Sequence, residues 1–266
     1  MLAMRSRNPA MGALTRYGDD QIARSETKSK TMTIGGTVSA TGVLLAIVAI
    51  TGVFSWNSMV NGGFMSKLIL PAWIIAGLGG IVVSLIIFAK PKLAPIIAPI
   101  HAAFEGVFVG AISYIIPLNF LGAESKETGS METLILQAVL ATFGIAAGML
   151  VGYATGVLRV GPLMKKVMIT MMFGIMGYAM LLMVMSLFGV GIWNGFADTG
   201  MFGIGFTLLC VGLASLFLVL DFQFIEEGVK AGAPKHYEWV GAWGLMVTLV
   251  WLYIEVLRLL AKLRSE

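Results

Sequence analysis

Long apolar stretches separated by short polar ones divide most of this chain into seven segments. Each segment has roughly the 20 residues that a helix needs to cross the hydrocarbon core of a bilayer. The apolar residues run on without strict alternation, which favours helices over the strands of a membrane barrel. The predicted segments cover residues 34–54, 69–89, 93–117, 133–157, 166–189, 201–224 and 238–261.

The polar remainder consists of an amino-terminal tail and short connections. Residues 1–33 are polar, carry both signs of charge and lack the apolar core of a secretory signal peptide, so they predict a cytoplasmic tail. No connection is long enough for a soluble domain. We therefore predict a single transmembrane domain over residues 34–262.

Composition agrees with insertion into the lipid bilayer. Hydrophobic residues make up 58% of the 266 residues and charged residues only 12%, against about 45–50% and about 25% in soluble proteins. The net charge of +4 does not indicate nucleic-acid binding, because the basic residues occupy loops and are not interleaved with aromatic ones. The one cysteine, Cys210, lies in an apolar run and has no partner for an intramolecular disulfide. The composition predicts an all-α, multi-pass membrane protein.

Basic residues are distributed unevenly between the two predicted sides, which bears on orientation. One side holds 13 of them: six in the tail, and Lys90, Lys92, Arg159, Lys165, Lys166, Lys230 and Lys235. The other side holds Lys67, Lys126, Arg258, Lys262 and Arg264. The amino terminus is thus predicted inside and the carboxyl terminus outside. If the last segment were re-entrant, the carboxyl terminus would return to the inside.

Glycines at four-residue spacing form bare stripes on two predicted helices, and such stripes let neighbouring backbones approach closely. They are Gly106 and Gly110 in the third segment, and Gly144, Gly148, Gly152 and Gly156 in the fourth. We expect both stripes to form helix contacts within one bundle, the alternative being a dimerisation face.

Three of the 14 acidic residues, Glu105, Asp221 and Glu255, lie within apolar segments. An ionised carboxylate near the membrane centre costs at least about 2.5–3.5 kcal/mol on insertion scales. Each must therefore pair, bind a proton or face water, and each is a candidate for function.

The neighbours of these acids indicate different roles. His101 precedes Glu105 by four residues and shares its helix face, so the two could hold or relay a proton, or simply bond to adjacent helices. Arg258 follows Glu255 by three residues, which favours a local ion pair.

Asp221 lies near the inner end of the sixth segment, where water, an ion or a proton could reach it. The alternative is a simple anchor, paired with Lys230, Lys235 or Lys166.

Motifs for catalysis are missing from the sequence. It has no CxxC, HExxH, Walker A or GxSxG pattern, and its two histidines, His101 and His236, cannot form a usual zinc site. We expect neither enzymatic activity nor a bound cofactor.

Three segments of the sequence resemble the Bax-inhibitor family of membrane proteins, and the tail resembles its bacterial branch. These are APIHAAFEGVFVGAIS in the third segment, LVLDF in the sixth and VTLVWLYIEVLRLL in the seventh, with RNPAMGALTRYG in the tail. The resemblance covers nearly the whole chain. It implies a bundle of seven helices with the last helix in the centre, in the inner membrane of a bacterium.

The resemblance also implies a function, that of a pH-sensitive calcium leak governed by two aspartates on the sixth and seventh helices, which share a proton and interact with an arginine. Asp221 matches the first aspartate. The second falls on Glu255 if the Tyr-x-acid pattern is aligned, or near Thr248 if the terminal arginine is aligned. Depth along the helices makes Glu105 a third candidate.

We therefore expect a cation leak channel in which Asp221, with Glu105 or Glu255, binds calcium or a proton, and His101 and Arg258 support them. Oxygen ligands suit a hard cation such as Ca²⁺, held transiently by Asp221 and Glu105. The alternative is a regulator that transports nothing. The resemblance implies for it a membrane-bound ATP-dependent protease as partner, with the tail as the contact.

Overall fold

The computed structural model describes residues 31–62, 69–122 and 129–265, and side chains 69–74 are not described. Most of the predicted tail, residues 1–30, lies outside these ranges, as do Lys67 and Lys126. Within the described ranges the chain is helical and forms no strand beyond one isolated bridge. The predicted all-helical class is confirmed.

Seven long helices follow one another along the chain. They are α1 (Ile34–Val60), α2 (Ile69–Ala89), α3 (Ala94–Leu121, after a short 3-10 turn), α4 (Ser130–Ala154), α5 (Pro162–Leu187), α6 (Met201–Lys230) and α7 (Tyr237–Arg264). Among the described residues, six of these helices are long and apolar enough to cross a membrane, and α2 contributes a shorter apolar stretch, Ile75–Ala89. The chain is thus a multi-pass membrane protein, while the number of seven spans stays a prediction.

The bundle has two ends, which we name by the residues found there. At the near end the chain enters α1 beside the α6–α7 turn, with the Met32 N–H donating to the Ala233 carbonyl at 2.7 Å. At the far end, Arg264 donates to Gln137 at 2.7 Å, close to where α4 begins. Helix α7 connects the two ends without a break over 28 residues, about 42 Å. In the structure the last segment is one continuous helix and does not fold back on itself.

Helix α7 is the most enclosed of the candidate spans in the described residues. It packs against α1, α3, α4 and α6. Of its most apolar stretch 56% is buried, against 6% for α5. It also contributes to both large apolar clusters, through Met246 and Val250 to one and through Leu252 and Leu257 to the other. Side chains along α7 therefore contact residues from four other helices inside the bundle.

Helices α1 and α3 approach each other through glycines, as the third-segment stripe predicts. A Cβ atom on Gly106 would lie 2.6 Å from the Val48 carbonyl oxygen, and one on Gly110 would lie 3.0 Å from the Trp56 nitrogen. Ser55 adds a hydrogen bond to the Val107 carbonyl at 3.0 Å. The two backbones thus touch where any side chain would separate them.

The α4 stripe behaves differently, and the prediction that it forms a helix contact inside the bundle is wrong. A Cβ atom on Gly144 or Gly148 would meet nothing within 4 Å, and one on Gly152 would meet only the Leu158 side chain. Gly156 lies beyond the end of α4 with φ of 79°, where it turns the chain. The bare face of α4 thus lies on the outside of the bundle, and the alternative of a dimerisation face stays a prediction.

Glu238, at the start of α7, clamps the start of α1. Its Oε1 accepts the Thr33 N–H at 3.0 Å and the Thr33 hydroxyl at 2.8 Å, across 205 residues of sequence. The same hydroxyl caps α1 by accepting the Gly36 N–H at 3.0 Å. Gly36 must be bare, because a Cβ there would collide with the Glu238 carboxylate. The clamp fixes the near end of α1 to α7.

The contrast between the two glycine stripes can be tested by substitution. Gly106→Ala should destabilise the protein by about 1–3 kcal/mol, because the methyl group meets backbone atoms that cannot move aside. Gly144→Ala is the matched control and should leave stability nearly unchanged. Thermal unfolding of both variants in the same detergent measures the difference, and equal stability of the two would contradict the packing described here.

Candidate functional site

Asp221 points from α6 toward α7. Its Oδ1 lies 3.6 Å from the position that a Cβ atom on Gly244 would take, and the Thr248 hydroxyl lies close enough to interact with the carboxyl group. Its Oδ2 is buried and has no hydrogen-bond partner among the residues that the structure describes. A buried carboxylate oxygen without a donor is costly, and such cases cluster at functional sites.

Thr248 lies on α7 near Asp221, and its hydroxyl donates to the Gly244 carbonyl at 3.1 Å. An ionised Asp221 would hold a buried charge whose Oδ2 receives no hydrogen bond from the described residues. Protonation or a bound cation would remove that cost.

Two positions were left open for the second acid that the resemblance implies, Glu255 and a position near Thr248. Thr248 is the one that lies close to Asp221, and it carries a hydroxyl. Glu255 lies about 27 Å along α7 from Tyr237, whereas Asp221 lies about 14 Å along α6 from Lys230. Glu255 is at a different depth and does not face Asp221.

Lys230, one of three predicted anchors for Asp221, pairs with another acid. Its ammonium forms an ion pair with Glu226, which also accepts the Tyr153 hydroxyl. This group lies at the near end of α6 and leaves the Asp221 carboxyl group without Lys230 as a counter-ion.

His101 is held between α2, α3 and α7. Its Nε2 lies 3.0 Å from the Ser84 hydroxyl, which itself donates to the Gly80 carbonyl at 2.8 Å. Ser84 must therefore accept, so the hydrogen-bond network assigns the proton of His101 to Nε2. The Nδ1 is buried without a partner, and the ring meets the Trp243 ring edge-on at 5.9 Å between centroids.

Glu105 shares the bare surface of Gly80 with His101. A Cβ atom on Gly80 would lie 3.7 Å from His101 Nε2 and 3.9 Å from Glu105 Oε2, so both polar groups lie over this glycine. The predicted shared face of His101 and Glu105 is therefore observed. The opposing surface, α2 with Gly80 and Ser84, was not predicted as part of the site.

The two acids in the near half lie at similar depth but on different sides of α7. Glu105 lies about 16 Å along α3 from Ala94, and Asp221 lies about 14 Å along α6 from Lys230. The two carboxyl groups are therefore at a similar distance from the near end. Helix α7 packs against both α3 and α6. Trp243 meets His101 on one side, and Gly244 faces Asp221 on the other. Glu105 and Asp221 are thus not a contacting pair in this structure.

Glu255 has the local partner that its spacing predicts. Its Oε2 accepts from Arg258 at 2.5 Å, and the residue is only 4% exposed. The guanidinium of Arg258 also lies over the Phe196 ring, 5.0 Å from its centroid. A buried, neutralised ion pair of this kind is a structural element of the far half.

Lys262 is the residue that sequence reasoning misplaced. It was counted among the basic residues of the carboxyl terminus, yet it is 0% exposed. The available signal was its spacing of four residues from Arg258, which places both on one face of α7. Glu238, assigned to a segment end, is likewise buried, at 4% exposure.

The donor set bears on how a cation could be held. Among the residues that the structure describes, no group of three or more His, Cys, Asp or Glu side chains could hold a metal ion. Calcium takes 6–8 oxygen ligands when it is bound tightly. Asp221 and Thr248 offer far fewer protein oxygens than this. The site therefore suits a cation that binds weakly and moves on, and not one that is tightly bound.

The Glu255–Arg258 pair can be tested by a double-mutant cycle. Arg258→Met alone should cost about 3–5 kcal/mol of stability, because it leaves a buried carboxylate without a counter-charge. Adding Glu255→Gln should recover most of this loss. Unfolding in detergent gives the coupling energy, and a purely additive cycle would show that the two charges do not depend on each other.

Comparison with known proteins adds one match. Residues 9–265 match the family model described as Bax inhibitor 1 like, which is nearly the whole chain. No curated protein and no solved structure matches the chain. Since the match covers all seven helices and the acids described above, the chain belongs to the Bax inhibitor 1 like family.

Proposed function

We propose that this protein is a pH-responsive cation leak channel, with Ca²⁺ as the cation and Asp221 as the group that responds to pH. The observation that supports this most is the buried Oδ2 of Asp221, which has no hydrogen-bond partner among the described residues. A carboxyl group in this setting has two distinct states, one neutral and protonated, the other charged and in need of a cation.

In the charged state Asp221 attracts a cation that arrives from the near end. Protonation removes the negative charge of Asp221, so the cation loses its ligand. The proposed transport thus falls as the pH falls. No catalytic step and no resident cofactor is involved, and calcium is the cargo.

Glu105 and His101 form a second polar group across α7, and we propose that they bind or relay a proton there. Neutral His101 keeps its proton on Nε2 and has a bare Nδ1, the atom that a proton would reach. The proposed channel is a seven-span bundle around α7 in the inner membrane of a bacterium. Its near end is the cytoplasmic one.

The alternative is a regulator that transports nothing and is handled by a membrane-bound ATP-dependent protease through the tail. Thr31 pairs with Pro234 in an isolated bridge, so the tail leaves the bundle beside the α6–α7 turn. The tail itself, residues 1–30, lies outside the described residues. This alternative requires no charge at Asp221.

Calcium flux into liposomes containing the pure protein tests the leak. Wild type should pass more Ca²⁺ at alkaline than at acidic pH. Asp221→Asn, which imitates the neutral acid, should pass about tenfold less at alkaline pH and lose the pH dependence, since about 1.4 kcal/mol of lost cation attraction gives that factor.

The matched control is Glu227→Gln, an exposed acid of the same helix near the same end, which should behave like wild type. An Asp221→Asn protein with the full pH-dependent flux would exclude Asp221 as the responsive group. Wild-type protein that passes no ion at any pH would favour the regulator.

A further inference from the structure

The connection between α5 and α6 folds over the far end of the bundle, and we call residues 188–200 the far-end cap. Four aromatic rings hold it against the helices: Tyr178, Trp193, Phe196 and Phe206, with centroids 5.0–6.3 Å apart. The Tyr178 hydroxyl donates to the Trp193 carbonyl at 2.7 Å and accepts the Gly195 N–H at 3.0 Å. The cap is therefore tied to α5 and α6 by specific contacts.

Asp198 closes the cap on itself. Its carboxylate accepts the Gly200 N–H at 3.2 Å and the Trp193 indole N–H at 3.1 Å. These two hydrogen bonds, from Gly200 first and Trp193 second, hold the pKa of Asp198 below its ordinary value. The carboxylate thus stays ionised and supplies a negative charge beside Lys262.

Lys262 joins this cap to α7 from inside. Its ammonium donates to the Gly195 carbonyl at 2.7 Å, to the Thr207 hydroxyl at 2.9 Å and to the Gly203 carbonyl at 3.0 Å. An ammonium has three protons, and all three are used. One of the acceptors belongs to the cap and the other two to the first turns of α6.

We infer that Lys262 is a latch that keeps the far-end cap closed over the interior of the bundle. If the cap moves away, the ammonium loses the Gly195 carbonyl as an acceptor, and a lost hydrogen bond costs more for a charged group than for a neutral one. Arg258, one turn earlier on α7, adds a second contact through Phe196. These two interactions of α7 with the cap are both made by cations.

The latch also affects charge at the far end. Lys262 and Arg258 bring two positive charges to this end of α7, and Glu255 and Asp198 supply two negative charges that face them. Displacement of the cap would carry Asp198 away from Lys262 and leave the ammonium without that counter-charge. The attraction between these charges therefore adds to the hydrogen bonds that hold the cap closed. The latch goes beyond the proposed leak, because a cap can be latched whether or not an ion passes.

Cys210 is a natural reporter of this closure. It is the single cysteine of the chain, it is 0% exposed, and it lies one turn from Thr207 on α6, within electrostatic reach of Lys262. Opening of the cap should expose it to a small, water-soluble thiol reagent. No cysteine needs to be introduced.

The test measures labelling of Cys210 in the full-length protein in lipid nanodiscs, where both ends are accessible. Lys262→Met should raise the labelling rate by about tenfold or more, because it removes hydrogen bonds made by a charged group. Lys235→Met, at an exposed lysine of the near end, should label as slowly as wild type.

Thr207→Val is the milder variant, since it removes one acceptor and keeps the lysine and the volume. It should raise labelling by less than Lys262→Met does, and it decides the outcome if Lys262→Met does not fold. Folding is checked by size-exclusion chromatography and thermal unfolding. Folded variants that label no faster than wild type, or a wild type that labels rapidly, would overturn the latch. Because ion flux is not measured, failure of the proposed leak leaves this result unchanged.

Discussion

The constraint on which this structure depends is that a buried polar group in a membrane bundle finds its partner in the protein, since lipid supplies none. Most buried charges obey it. Lys262 uses all three protons, Glu255 has Arg258, and Glu238 accepts twice from Thr33. Each of these contacts fixes one helix against another or against a connection. The polar side chains therefore determine which helices are neighbours, and apolar packing fills the space between them.

Among the described residues, four buried polar atoms have no partner: the indole nitrogens of Trp56 and Trp243, Nδ1 of His101 and Oδ2 of Asp221. Asp221 and His101 are the titratable ones, and they give the near half its chemistry. They meet α7 at consecutive positions, Gly244 and Trp243. In the far half the charged side chains are neutralised or fully bonded. Helix α7 thus connects a region whose side chains can gain or lose a proton to a region whose charged side chains are paired. A change of charge at Asp221 acts directly on α7, the most buried of the candidate membrane spans in the described residues.

The sequence predicted the helices, the membrane class and the intramembrane acids, because a long apolar run and a rare charge within it are local signals. It could not predict the partners. Glycines spaced by four have the same pattern in α3 and α4, yet only Gly106 and Gly110 face another helix. Lys262 had the pattern of a terminal surface charge and is buried, because its acceptors lie some 55–67 residues away in the chain. Which residues pair across helices depends on the rotation of each helix about its own axis. This rotation cannot be predicted from a single sequence.

The clamp between Thr33 and Glu238 has a consequence for biogenesis. The residues it joins are 205 positions apart, so α1 emerges from the ribosome long before its partner exists. At about 5–20 residues per second, the amino-terminal end of the first helix waits about 10–40 s for the last one. During that time Thr33 can cap α1 but has no carboxylate to bind. Completion of the clamp therefore coincides with insertion of the final hairpin, and the start of the bundle is secured only when its end has been synthesised.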